Sequence, residues 1–170
     1  MSPLQPDEIF GCLDRHGVSY VLIGGLAAVL HGSPLPTVDV DICPLQEPDN
    51  LDRLAAALEE LDARVRAADS PEGLAFPREA TFLGSVQLLN LQTRFGDLDI
   101  SFLPAGTEGF PDLTVHAVEM NIQGSKVAVA ALEDVIRSKE AANRPKDQRT
   151  LPVLRRLLEE IKKQQGGSST

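Results

Sequence analysis

Residues 38–43 read Val38-Asp39-Val40-Asp41-Ile42-Cys43, an alternation of apolar and acidic side chains that runs to Ile42. Successive side chains of a strand leave opposite faces. The stretch therefore predicts a half-buried strand, with Val38, Val40 and Ile42 turned to a core and Asp39 and Asp41 turned away from it. Two like charges on one strand face destabilise a sheet unless something offsets them. Mg2+ does so readily, because it takes a few carboxylates and keeps coordination positions for water and phosphate oxygens. The plainer reading is the wet face of an antiparallel sheet, but aspartate is depleted in strands.

The same alternation returns downstream. In residues 98–102, Leu98, Ile100 and Phe102 oppose Asp99 and Ser101, with Asp97 just ahead. Residues 86–91 form a second strand, joined to it by a turn at 94–96. Asp99 completes a three-carboxylate site if its strand lies beside that of Asp39. Upstream, the β-prone run 20–23 ends at Gly24-Gly25 and an alanine-rich helical segment, 26–31, stops at Gly32. A glycine pair there serves a tight turn at least. It also leaves backbone N–H groups and a helix's positive end bare for a phosphate.

Around this centre the sequence predicts helices at 7–16, 50–66, 132–142 and 145–164. A loop is expected over 67–78, strands over 115–122 and 126–129, and a disordered tail over 165–170. The fold class expected is α/β (α+β), one domain over residues 1–164, with a short mixed twisted sheet and helices packed behind it. The C-terminal helices would flank a cleft. Cys12 and Cys43 have no metal-ligand spacing and read as core residues. No membrane span or signal segment is visible, so a cytoplasmic location is expected. The net charge of -9 over 170 residues argues against a general nucleic-acid binder. Residues 126–163 nevertheless carry ten Lys and Arg against six Asp and Glu, a net +4, which leaves -13 on the first 125. One end of the chain repels anions unless metal intervenes; the other welcomes them.

Taken in order, Ile23-Gly24-Gly25, Thr37-Val38-Asp39-Val40-Asp41-Ile42 and Leu98-Asp99-Ile100 resemble the signature of the DNA polymerase β-type nucleotidyltransferase superfamily. Asp134 to Lys139, followed by Arg144-Pro145-Lys146-Asp147, resembles the end of the small AbiEii-like, minimal nucleotidyltransferase branch, several members of which are toxins of toxin–antitoxin pairs. The resemblance covers residues 20–150. It implies a nucleotidyltransferase fold, with Asp39, Asp41 and Asp99 as catalytic metal ligands for Mg2+ or Mn2+, two ions in all. Asp99 would also help deprotonate an acceptor hydroxyl. Gly24 and Gly25 would hold a nucleoside triphosphate, ATP among the expected substrates. Lys139, Arg144 and Lys146 would contact phosphates or the acceptor, and Asp147 would orient one of those cations. The acceptor implied is a tRNA 3′ end, a partner-protein side chain or a small molecule, and a cognate antitoxin is a further expected partner.

Relatives in the toxin branch often carry arginine where this chain has Leu35, so a phosphate contact is missing. Leu35 favours the rival reading of an inactive binding module acting through a protein partner. A Rossmann-like nucleotide binder is disfavoured because GxGxxG is absent. His31 reads as a cap or a packed side chain.

Overall fold

Ile9, Phe10 and Leu13 recur at helical spacing and are buried along one side of the first helix, α1 (Pro6–Arg15), in a computed structural model that describes residues 3–167. The chain continues through β1 (Tyr20–Ile23), α2 (Gly24–Leu30), β2 (Asp39–Pro44) and α3 (Pro48–Glu60). The middle of the chain holds β3 (Arg64–Ala67), β4 (Ser70–Leu74), α4 (Ala80–Leu83), β5 (Leu88–Thr93) and β6 (Gly96–Ser101). Last come α5 (Phe110–Leu113), β7 (Val118–Ile122), β8 (Ser125–Val129), α6 (Leu132–Ala142) and α7 (Pro145–Gly167).

The strands form one mixed sheet in the order β4-β3-β5-β6-β2-β1-β8-β7. β1 is antiparallel to β2, whereas β2 is parallel to β6 and β1 is parallel to β8. The alternation at 38–43 places Val40 and Ile42 in the core beside Leu22, Leu98 and Ile100, where Phe10, Leu13, Leu54 and Leu58 of α1 and α3 cover them, but Val38, expected with them, precedes β2 and is 78% exposed. Burying apolar side chains of this size supplies about 1.5–3 kcal/mol each. The other sheet face stays polar around the aspartates, and α6 and α7 flank the cleft there. Cys12 and Cys43 are both buried, and burial pushes each thiol up to about 12.

Three stretches differ from their sequence reading. The helix expected to reach residue 66 ends at Glu60, because Leu61 is its cap and Asp62 takes a left-handed φ of 52°. The expected loop 67–78 instead contains β4, antiparallel to β3, which is edge structure with little apolar content. The strand expected from 115 starts at Val118. In addition, α7 runs on to Gly167, past the expected tail boundary; residues 168–170 lie outside the described residues. Among the described residues no helix is long and apolar enough to cross a membrane.

A buried polar side chain pins the two strands that lead into the site. Asn50, on α3 and only 1% exposed, accepts from Ser19 N at 2.7 Å and donates to Ser19 O at 2.9 Å and Leu45 O at 2.7 Å. These groups sit just before β1 and just after β2. Replacing Asn50 by leucine removes the side-chain partner of Ser19 N and Leu45 O, each worth roughly 1 kcal/mol or more, while Ser19 O keeps its bond from Leu45 N at 3.0 Å. Asn50→Leu is expected to lower unfolding free energy by about 2–4 kcal/mol in urea titration; a loss below about 0.5 kcal/mol would show that the three bonds do not hold the strand ends.

Candidate active site

Parallel pairing of β2 with β6 is what brings the acids together. Its register sets Asp39 against Asp97 and Asp41 against Asp99, and β5 adds Asn90 opposite Asp99. One row across the polar face thus runs Asn90, Asp99, Asp41 and then Ile23 of β1. Asp39, Asp41 and Asp99 each offer a carboxylate oxygen, and these oxygens all lie within 4.8 Å of one another.

Crowding shows in the proton affinities. Burial first, and then the charges of Asp39 and Asp99, push the Asp41 carboxyl up to about 8. Asp99 is also raised, by burial, although the Arg66 guanidinium opposes the rise. Arg66 Nη2 lies 2.7 Å from Asp99 Oδ1, but the approach is not aligned as a hydrogen bond, and this buried oxygen has no hydrogen-bond partner. A hard-oxygen donor set of three mutually repelling carboxylates, with one buried oxygen that has an ion-pair partner but no aligned hydrogen bond, fits a divalent cation of the Mg2+ or Mn2+ kind.

Gly24 closes the other side of the acids. Its φ is +72°, and a Cβ there would run into the Asp41 carboxylate, with Asp41 Cγ only 2.9 Å away. Glycine at this position therefore answers both the left-handed backbone and the close approach to Asp41. A Cβ on Gly25 would meet Thr37 Oγ1 at 3.1 Å. α2 is only seven residues long, so the turn contributes mainly bare backbone near Asp41 rather than a long helix's field. His31 caps α2, and its Nε2 is 2.8 Å from Ala130 O, the packed role read from the sequence.

The cleft between these elements has a volume of about 620 Å³. It gathers Gly24, Gly25, Asp39, Asp41 and Asp99 on one wall, and Lys139, Arg144 and Lys146 on the other. The break expected at 143–145 is present as well, since Asn143 ends α6 with a left-handed φ of 49°. Asp147 organises the basic wall. Fully buried, it accepts from Arg144 N at 3.1 Å and Arg144 Nε at 2.8 Å, and it lies 3.5 Å from Lys139 Nζ. Burial alone would raise its carboxyl, but the Arg144 bonds and the Lys139 charge more than offset that and hold it below the ordinary aspartate range.

Sequence reasoning missed Arg66, Asn90, Ser101 and Asp134. Asn90, Ser101 and Asp134 line the cleft, and Arg66 pairs with Asp99. The signal for Arg66 was present in the alternation of Ala63, Val65 and Ala67 with Arg64 and Arg66, but it was absorbed into the end of a helix.

No family model matches the chain, and no curated protein matches it. Solved structures do. The lincosamide antibiotic adenylyltransferase LnuA, in its lincomycin-bound crystal structure, superposes with a TM-score of 0.58 at 18% identity, over 92% of this chain and 99% of that one. A Thermotoga maritima protein provisionally described as a nucleotidyltransferase superposes with a TM-score of 0.55 at 19% identity, over 94% and 97% of the two chains. The chain has the nucleotidyltransferase fold. Both superpositions span nearly the whole of each chain, so the sheet and the flanking C-terminal helices belong to the shared architecture.

The raised Asp41 carboxyl carries a stability signature. Between the ordinary 3.8 and about 8, the folded chain holds a proton that the unfolded chain has released. The folded state binds more protons in this window, so metal-free stability falls as pH rises through it. Melting temperature in EDTA is expected to drop from pH 6 to pH 9, and Asp41→Asn to flatten that drop and melt higher than the parent at pH 9. A parallel decline in both proteins would place the effect elsewhere.

Proposed function

We propose that this protein is a metal-dependent nucleotidyltransferase that moves a nucleoside monophosphate from a nucleoside triphosphate to an acceptor hydroxyl. The observation that carries this reading is the set of three carboxylates meeting across β2 and β6, opposite a basic wall, in a nucleotidyltransferase fold. Asp39, Asp41 and Asp99 hold divalent metal, which supplies charge neutralisation and Lewis acidity when bound. Gly24 and Gly25 let phosphate oxygens approach the backbone beside Asp41. Lys139, Arg144 and Lys146 neutralise the triphosphate from the other wall, and Asp147 keeps the first two in place. Asp99 takes the proton of the acceptor hydroxyl as its oxygen bonds to the α-phosphorus. The bond from the α-phosphorus to the bridging oxygen breaks, and pyrophosphate leaves with that electron pair.

The cleft favours a small-molecule acceptor over a tRNA end. Among the described residues, none that lines it is aromatic, whereas single-stranded RNA is held largely by stacking on aromatic side chains. Exposed Val38 and Leu88 stand beside the acids in that lining, an apolar surface suited to a compact molecule. A toxin role, with a cognate antitoxin, rests on the C-terminal likeness to AbiEii-like enzymes. Leu35, also in the lining, supports the rival binding-module reading, because it puts an aliphatic side chain where relatives in the resembled branch often carry arginine.

Calorimetric titration of ATP, CTP, GTP and UTP with Mg2+ or Mn2+ tests the proposal. At least one triphosphate is expected to bind only with metal, and the Asp39→Asn/Asp41→Asn double variant to lose that binding by about 100-fold or more, the scale of an uncompensated charge contact. No binding at millimolar concentration with either metal would overturn the enzyme reading in favour of the module. A second outcome follows from Leu35. Leu35→Arg is expected to tighten metal-dependent triphosphate binding by about tenfold, the low end of a hydrogen bond to a charged group, and unchanged affinity would show that no phosphate passes Leu35.

A further inference from the structure

Arg66 comes from outside the acidic strands. It sits on β3, separated from β6 by β5, and its guanidinium crosses that intervening strand. Nη1 donates to Leu91 O of β5 at 2.8 Å, which anchors the head group. From that anchor Nη2 reaches Asp99 Oδ1 at 2.7 Å, and Nη1 lies 3.7 Å from Asp97 Oδ2. Among the described residues, no other cation lies within ion-pair distance of Asp39, Asp41 or Asp99. Of the basic side chains near the cleft, Lys139 and Arg144 pair with Asp147, and Arg137 pairs with Asp112 and Asp134.

We infer that Arg66 is the resident counter-ion of the carboxylate cluster, a positioning residue that holds Asp99 when no divalent cation is bound and sets the affinity with which one binds. The inference rests on the metal site proposed above. An arginine suits the task because its planar head can satisfy a carbonyl and a carboxylate together, whereas lysine offers one point charge. The Leu91 anchor prevents Arg66 from leaving entirely. It keeps positive charge beside the acids and so lowers the affinity of any incoming cation. Because the ion pair with Asp99 is not aligned as a hydrogen bond, it is held mainly by charge and is the contact most readily given up to a metal.

This role makes a prediction that a merely structural arginine would not. Loss of the counter-ion destabilises the metal-free protein most, because a bound cation replaces what was removed. By linkage, the cation must then bind more tightly. With Mn2+ as the probe and free Mn2+ read by electron paramagnetic resonance at pH 8, Arg66→Gln is expected to bind about tenfold more tightly than the parent, the scale of a screened repulsion between neighbouring charges. Its melting temperature should fall in EDTA and recover most of the loss in saturating Mn2+. Arg66→Lys keeps the charge, and its Mn2+ affinity should stay within about threefold of the parent.

Equal or weaker Mn2+ binding by Arg66→Gln, or an equal loss of melting temperature with and without Mn2+, would overturn the inference while leaving the metal site standing. Failure of the parent to bind Mn2+ at millimolar concentration would remove both. Should Arg66→Gln not fold, the parent alone decides, through the Arg66 side-chain Nε–Hε resonance during a Mg2+ titration. A shift that saturates with metal supports the role, and a resonance that does not move overturns it.

Discussion

Everything at this site follows from the mutual repulsion of three carboxylates that the sheet forces together. β2 and β6 are parallel and in register, so Asp41 cannot avoid Asp99, and Asp39 lies two residues along on the same face. Water would keep such groups apart. The chain overrides that preference with the burial of Val40, Ile42, Leu98 and Ile100 on the opposite face of the same strands, all fully excluded from solvent. Alternation couples the two effects: a one-residue slip of either strand would expose its apolar side chains and bury its acids. The hydrophobic face therefore fixes the geometry of the charged one.

The charge is then neutralised from two directions at different distances. Arg66 offsets one acid directly, while Lys139, Arg144 and Lys146 stand across the cleft. Were the second group to close onto the acids, the cleft would have no reason to admit a polyanion. Asp147 prevents this. Buried and held below its ordinary range, it keeps Lys139 and Arg144 on their own wall. The result is a cleft with a net-acidic side that calls for cations and a basic side that calls for anions. The triphosphate and divalent metal of the proposed function would combine both.

The polar face was legible in the sequence because strand periodicity is local. Asp39, Asp41 and Asp99 could be assigned to one face of their strands from alternation alone, and the helix expected over 132–142 is present as α6. What alternation cannot supply is which strands are neighbours. The adjacency of β2 and β6 had to be assumed, since nothing in either strand encodes a parallel partner more than fifty residues away. The reading failed around residue 62 for a related reason. Leu51, Leu54, Leu58 and Leu61 make a convincing helical stripe, and its continuation through Val65 hid the left-handed turn at Asp62 and the change of period after it. With that turn went β3, β4 and Arg66. Asp134 was quoted only as part of a string, because its place in the cleft depends on how α6 packs.

On the counter-ion reading proposed above, Arg66 and a bound cation would be alternative solutions to one electrostatic problem, with a consequence for how the fold is maintained. A site that relied on metal alone would leave three acids uncompensated in the metal-free chain, at a cost that rises with pH as Asp41 gives up its proton. A site fully neutralised by fixed arginines would be stable but would repel the metal. One anchored guanidinium, in charge contact with Asp99 alone of those three acids and not aligned for a hydrogen bond, lies between these limits. It leaves Asp39 and Asp41 without a positive partner among the described residues. With residual negative charge of that size, a divalent ion bound as proposed would stabilise the folded state further and so would tie occupancy of the cleft to the integrity of the sheet.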